Sequence, residues 1–266
     1  MSEETQIAQK DARGMPMAQE NLDSEMPFYA HFAELRSRLI KSLIAIAAGA
    51  VVCFSFSPAL YALLAEPLKA ALTGPSQSLV FLSPVEPFFV YLKLSLLSGI
   101  LLTLPFVFYQ IWRFIAPGLY AHEKKALVPL VACSTLGFLL GAVFCYFAVL
   151  PLGLNALMGM GMTEEFSANA QISMASYYTL VMRLILAFGV VFEMPIFSYF
   201  LTRLGVITHE TLVRHWRIAV VIIFIIAACL TPPDVITQVA LGLPMCLLYV
   251  VSIFVAKMAG RHKQAE

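Results

Sequence analysis

Of the 266 residues, 60% are apolar and only 12% charged, against roughly a quarter charged in an ordinary soluble domain. That balance excludes a soluble globular protein, and a formal net charge of +1 gives no ground for a nucleic-acid partner. A bilayer core about 30 Å thick asks for about 20 apolar residues per crossing helix, and the length leaves room for six such helices with short connections.

Residues 1–26 are polar and mostly acidic, with neither the apolar core nor the small-residue cleavage site of a secretory signal, and they read as a disordered tail. Residues 27–257 hold the expected membrane domain and 258–266 a short tail. Long apolar runs predict spans near Ser42 to Leu60, Leu94 to Trp112, Leu127 to Leu150, Leu184 to Thr202, Ile218 to Leu230 and Val235 to Ala256. The charge-free stretch Ile218 to Pro233 has only 16 residues, and Thr231-Pro232-Pro233-Asp234 breaks the run before a second apolar segment. Two short helices in a tight hairpin fit better than one long helix, with local membrane thinning there. Pro105, Pro195 and Pro244 fall inside spans two, four and six, where each removes a backbone hydrogen bond and predicts a kink.

With the sides taken alternately, fourteen of the seventeen basic residues fall on one side; Lys69 lies on the other, with Lys93 and Arg183 read as the outer ends of their helices. By the positive-inside rule both termini are expected in the cytoplasm. The outer segments Ala59 to Lys93 and Pro151 to Arg183 are long and proline-bearing, and a structured cap is expected from them. Cys53, Cys133, Cys145, Cys229 and Cys246 all sit in apolar runs and read as small buried hydrophobes, without the spacing of disulfides or metal sites.

No catalytic pattern survives inspection. His209-Glu210 and His122-Glu123 lack the second histidine of a zinc-protease helix, and neither a nucleophile elbow nor a phosphate loop is found. Neither an enzyme nor a cofactor is expected. Glu193, tenth of the nineteen residues from Leu184 to Thr202, is placed near the bilayer midplane, where translocon scales charge about 2.5–3.5 kcal/mol for an acidic side chain. It is either a polar patch in a groove used by substrate or partner helices, or a neutral acid bonded to a neighbouring helix through Gln110 or Thr103. Asp234 and Gln238 share a face at the start of the last helix, Asp234 as a cap or a contact and Gln238 as an amide bonded within the protein or to a partner. Glu34 stands four residues before Arg38, a spacing that also suits a surface ion pair. Glu123 beside Lys124 and Lys125 allows the same plain reading.

Six segments, in order and on six spans, carry a resemblance: HFAELRSRL at 31–39, AEPL at 65–68, SPVEPFF at 83–89, LPFVFYQIWRFIAPGLYAHEKK at 104–125, FGVVFEMPIF at 188–197 and LTPPDVITQVALGLPM at 230–245. Together they resemble the TatC family, the signal-recognising subunits of the twin-arginine protein translocase. The resemblance implies an all-α, six-helix, concave bundle in a bacterial inner membrane. Such a subunit is a receptor for folded proteins whose signal peptides carry paired arginines, and its work is driven by the proton-motive force with TatA- and TatB-type single-span partners. It further implies arginine recognition by Glu34 and Glu123 with Arg36 and Phe114, a groove around Glu193, and a cap shaped by Pro67. TatA or TatB helices would pack at Asp234 and Gln238, and several copies would join in the receptor complex. Some family members carry a glutamate where Val250 stands. The competing reading is a proton- or ion-coupled small-molecule transporter with Glu193 as its coupling site, although no second intramembrane charge and no internal repeat supports it.

Overall fold

The computed structural model describes residues 26–72, 78–115, 127–163, 166–167, 171–231 and 235–264. Its contacts divide the chain into two units, Met1–Lys41 and Ser42–Glu266. Helix α1 (Met26–Phe54) runs through the boundary of the two. In chain order follow α2 (Ser57–Ala71), β1 (Ser78–Val80), α3 (Glu86–Ile115), α4 (Leu127–Phe144), a π-helical turn (Cys145–Val149), α5 (Leu150–Gly161), β2 (Met162–Thr163), β3 (Phe166–Ser167) and β4 (Gln171–Ser173). The remainder is α6 (Met174–Phe192), α7 (Met194–Leu204), α8 (His209–Arg214), α9 (Trp216–Leu230) and α10 (Val235–Gln264).

Five helical stretches, 32–54, 86–115, 127–159, 174–204 and 235–260, are long and apolar enough to cross a membrane, and the shorter apolar helix Trp216–Leu230 makes the sixth. The expected architecture, short fifth helix included, is therefore present, and the chain is a multi-pass membrane protein. The last helix, α10, expected to be short as well, instead runs for 30 residues because the apolar run after the Pro232-Pro233 break passes into a helix-forming polar end. Several boundaries differ from the expectation, among them the start of span one, at Phe32, and the end of span three, at Gly159. Span one ends at Phe54, and residues up to Ala71 form a separate helix whose first turn carries Pro58, the position at which a missing N–H costs nothing. Spans two and four begin at Glu86 and Met174. Lys93 and Arg183 are thus seven and nine residues inside their helices, not at the ends, because a charged side chain interrupts an apolar run without interrupting the backbone. The last helix continues to Gln264, into the segment expected as a tail.

The spans pack through glycine. A Cβ on Gly99 of α3 would lie 2.5 Å from the Ala50 backbone nitrogen, and one on Gly141 of α4 would lie 2.5 Å from the Phe188 carbonyl oxygen. These backbones meet because no side chain intervenes, the usual way for helices to gain dispersion energy in a solvent as apolar as themselves. Around the crossings Leu94, Val181, Leu184, Phe188, Leu241 and Met245 form the larger core, and Leu104, Phe108, Trp112, Phe138 and Phe200 a second one. Of the cysteines only Cys145 is buried, while Cys133 and Cys229 are exposed on the outer faces of their helices, and all five are free thiols. The expectation that all are buried is corrected for those two: in a lipid-facing helix the outward side is apolar as well.

The cap is held by tyrosine hydroxyls that donate to backbone carbonyls of α2, one of which a proline releases. Pro67 inside α2 cannot supply the N–H that the Leu63 carbonyl would receive in a regular helix. The Tyr146 hydroxyl donates to that carbonyl at 2.8 Å. Tyr177 and Tyr178 of α6 donate to the carbonyls of Leu64, at 2.7 Å, and Tyr61, at 2.8 Å. Tyr146 belongs to the π turn, in which the Leu150 N–H reaches back to the Cys145 carbonyl. The wider turn makes room for the ring of Pro151, which follows immediately and has no N–H of its own. Strand β1 pairs in parallel with β4, with Val80 opposite Ser173, bringing the start of α3 to the start of α6.

Candidate functional site

The fourth span is two helices joined at Glu193. Pro195 has no N–H to offer the Val191 carbonyl, and the Glu193 N–H turns to the Val190 and Val191 carbonyls instead. The helix is interrupted there, at one of the three prolines the sequence singles out, whereas Pro105 and Pro244 lie inside unbroken helices. Within the 31-residue stretch Met174–Leu204, Glu193 lies four residues past the centre, about 6 Å at about 1.5 Å per residue, so it stands one turn from the midplane on the side away from the cap.

Glu193 is only 3% exposed, and its carboxylate oxygens make no hydrogen bond of good geometry among the described residues, the Ser134 hydroxyl and the Phe138 N–H of α4 being the donors near enough to interact with it. The expected neighbours do not reach it: the Thr103 hydroxyl bonds to the Gly99 carbonyl of its own helix at 2.8 Å, and Gln110 is buried in α3 without pairing with it. Facing it on α4 is Gly137, where a Cβ would lie 3.3 Å from Glu193 Oε1 and 2.9 Å from Ile196 Cδ1. One turn before it, Ser134 accepts the Trp112 indole N–H at 2.9 Å. Sequence reading missed Ser134 and Gly137, and only their position opposite Glu193 reveals them. A buried acid met only by poorly aligned internal donors is costly. Chemically the arrangement is a vacant acceptor, suited to a donor brought by another helix or peptide.

A second enclosed carboxylate, Glu86, differs in every respect. It opens α3 and reaches the start of α6, where its Oε1 accepts the Ala175 N–H at 2.6 Å and the Ser173 hydroxyl at 3.0 Å, while its Oε2 accepts the Leu82 N–H at 2.7 Å. It supplies an anion to the exposed N–H groups of a helix N-terminus. An acidic residue in the first turn of a helix was the signal available for it in the sequence.

Of the residues expected to recognise arginine, Glu34 and Arg36 lie on α1 and Phe114 at the end of α3. On α1 the Glu34 carboxylate holds Arg38, accepting Nε at 3.0 Å and Nη2 as well, so the ion pair expected from the spacing is formed. Arg36 is exposed, and Phe114 is half-buried in the last turn of α3. Glu123 lies outside the described residues, as does Asp234. Gln238 of α10 is half-buried, and its Nε2 donates to the Phe224 carbonyl of α9 at 3.1 Å, tying the hairpin together. Pro67 is in α2, as described above. The structure thus joins Gln238 to α9 and leaves Glu193 and Pro67 at different levels of the bundle. Arg113 donates to the Tyr109 hydroxyl at 2.9 Å, and its guanidinium and that of Arg217 stack on Tyr109 and Trp216. These pairs form an aromatic and basic belt of the kind found at a membrane interface.

Comparison with known proteins agrees with this geometry. The sequence profile of the family described as Sec-independent protein translocase protein (TatC) matches residues 30–244. The Aquifex aeolicus Sec-independent protein translocase protein TatC is 45% identical over 239 residues, covering 90% of this chain and 98% of the relative. The protein of the same name from Helicobacter pylori is 42% identical, covering 86% of each chain. Among solved structures, the crystal structure of the twin arginine translocase receptor TatC superposes with a TM-score of 0.78 at 45% identity, covering 86% of this chain and 99% of that one.

Proposed function

Because this chain belongs to the TatC family of Sec-independent protein translocase subunits, we propose that it is the receptor that binds twin-arginine signal peptides of folded proteins. The observation that carries the reading is the Glu34 carboxylate, which already accepts a guanidinium through two of its N–H groups. A signal-peptide arginine presents the same fork and would displace Arg38, whereas lysine offers only a point charge. Glu123 takes the second arginine, with Arg36 and Phe114 lining the approach.

Translocation is shared with TatA- and TatB-type single-span subunits and draws on the proton-motive force. Glu193 receives a polar group from a partner or signal helix. The Gln238 amide oxygen, at the half-buried face of the α9–α10 hairpin, and Asp234 before it form a partner-helix contact, and several copies of the chain assemble in the receptor complex. The protein works in the bacterial inner membrane with both termini in the cytoplasm. The clustering of Arg113, Arg203, Arg214, Arg217 and Lys257 near helix ends away from the cap supports that orientation.

The test is binding of a twin-arginine signal peptide to the purified, detergent-solubilised protein, with a twin-lysine peptide as control. A charge-assisted hydrogen bond contributes about 1.5–3 kcal/mol, so Glu34→Ala and Glu123→Ala should each weaken binding roughly tenfold or more. Each should also shrink the preference for arginine over lysine, and the double variant should add little, as expected of two residues forming one clamp. Full affinity and full preference in either variant would make that residue a surface ion-pair partner and nothing more.

A further inference from the structure

Two cations stand inside the membrane-spanning helices at the cap end without a carboxylate among the described residues. Lys93 of α3 is half-buried, and its Nζ donates to the Thr179 hydroxyl of α6 at 3.2 Å. Arg183 follows Thr179 by four residues, hence on the same face of α6 one turn deeper, and it is exposed. The salt bridges among the described residues are Glu34–Arg38 and Glu66–Lys69, so among these residues neither Lys93 nor Arg183 has a carboxylate partner. Glu86, the acid nearest in sequence to Lys93, is two helical turns away and bonded to Leu82, Ser173 and Ala175.

Depth decides what such a pair can hold. Helix α3 has 30 residues, about 45 Å at 1.5 Å per residue, and so overhangs a hydrocarbon core of about 30 Å by about 7 Å at each end. Lys93, seven residues from the cap-end terminus, lies about 10 Å in, close to the boundary where headgroup phosphates sit; Arg183 is a few Å deeper and within snorkelling reach of it. Aromatic side chains mark the same level: Tyr61 stacks edge-on against Tyr91 at 5.9 Å and tilted against Tyr178 at 4.8 Å, the belt expected at an interface. A cation this far into a span is costly unless an anion meets it, and among the described residues the protein supplies none.

We propose that Lys93, Thr179 and Arg183 form a binding site for the phosphate of an anionic phospholipid in the cap-end leaflet. The Arg183 fork and the two remaining Lys93 N–H groups donate to the phosphate oxygens, and Thr179 fixes the ammonium in place. An anionic headgroup is selected over a zwitterionic one because a choline or ethanolamine cation would meet two positive charges. The acyl chains lie along the lipid-facing surface of α3 and α6, where Leu92, Leu96 and Val190 are exposed, and this separates a lipid from free phosphate as the occupant.

The test follows thermal unfolding of the full-length protein in detergent as phosphatidylglycerol, phosphatidylcholine or inorganic phosphate is titrated in. Phosphatidylglycerol should stabilise the native protein saturably, phosphatidylcholine much less, and inorganic phosphate not at all. Lys93→Gln and Arg183→Gln should each raise the phosphatidylglycerol concentration for half-effect roughly tenfold. Lys93→Arg, which keeps the charge, should leave it within about twofold. Lys257→Gln, at the other end of the bundle, is the control for non-specific charge. An unchanged response in the Lys93→Gln, Arg183→Gln double variant would overturn the site, as would a loss equally large in Lys257→Gln. Equal stabilisation by inorganic phosphate would overturn the assignment of a lipid as its occupant.

Discussion

Glu86 and Glu193 are both carboxylates enclosed by the same bundle, one at the cap and the other deep in the fourth span. Glu86 receives two backbone N–H groups and a hydroxyl at 2.6–3.0 Å; Glu193 receives no hydrogen bond of comparable geometry from the described residues, only the nearby Ser134 hydroxyl and Phe138 N–H. Enclosure alone therefore does not tell an acid that holds a fold together from one kept for something else. The difference lies in who supplies the donors. At the cap, the ends of α3 and α6 have N–H groups to offer. In the middle of a span every N–H is already bonded within its helix, so an acid placed there can be satisfied only by side chains or by something arriving from outside.

The comparison breaks most readily at Glu86. Glu86→Leu strands the Leu82 and Ala175 N–H groups and should lower the unfolding midpoint in detergent by the largest margin of any substitution considered, with loss of export following from loss of protein. Glu86→Gln, which still accepts on one oxygen, should fall between. An unaltered midpoint in Glu86→Leu would mean that the clasp between α3 and α6 contributes nothing.

Glu193 should behave with the opposite sign. An unsatisfied buried polar group costs about 1–3 kcal/mol, so Glu193→Leu should hold or raise the unfolding midpoint by a few degrees while abolishing export of a twin-arginine reporter. Glu193→Gln, which keeps hydrogen-bonding capacity without charge, should retain most export. Full export in Glu193→Leu would reduce the residue to packing, and a midpoint lowered as far as in Glu86→Leu would expose an internal partner.

Much of this contrast was legible before any coordinates. Apolar runs located all six spans, because a bilayer imposes length and composition together, and Pro195 located the helix break that carries Glu193. Charge misled where it sits inside a helix: Arg183 and Lys93 truncated two spans on paper although the backbone continues past both. Exposure of Cys133 and Cys229 was hidden because helices apolar on all sides carry no periodicity to separate a lipid-facing from a protein-facing side. Glu193 announced itself by its depth alone, yet its lack of a partner, like the closeness of Gly137, depends on which residues α4 turns toward it. Glu86 stood inside a quoted motif without a role, since two of its three donors lie 87 and 89 residues away in a segment that only the pairing of β1 with β4 brings near.

The smallest effect concerns the cap and asks whether satisfaction there is as specific as the hydrogen bonds suggest. Pro67 frees the Leu63 carbonyl, and Tyr146 satisfies it at 2.8 Å from a turn widened by Pro151. Tyr146→Phe removes only the hydroxyl and should cost about 1 kcal/mol, the net worth of one neutral hydrogen bond. Pro67→Ala gives residue 67 an N–H that can bond the Leu63 carbonyl within α2, so the hydroxyl loses its task. In that background Tyr146→Phe should cost close to nothing, and the double-mutant cycle should return a coupling of about 1 kcal/mol between two residues in different helices. Additive losses in thermal unfolding would show that Tyr146 stabilises the cap through its ring alone. A coupling of the expected size would identify the proline-released carbonyl as the link between α2 and the π turn, the counterpart at the cap of the donor that Glu193 lacks.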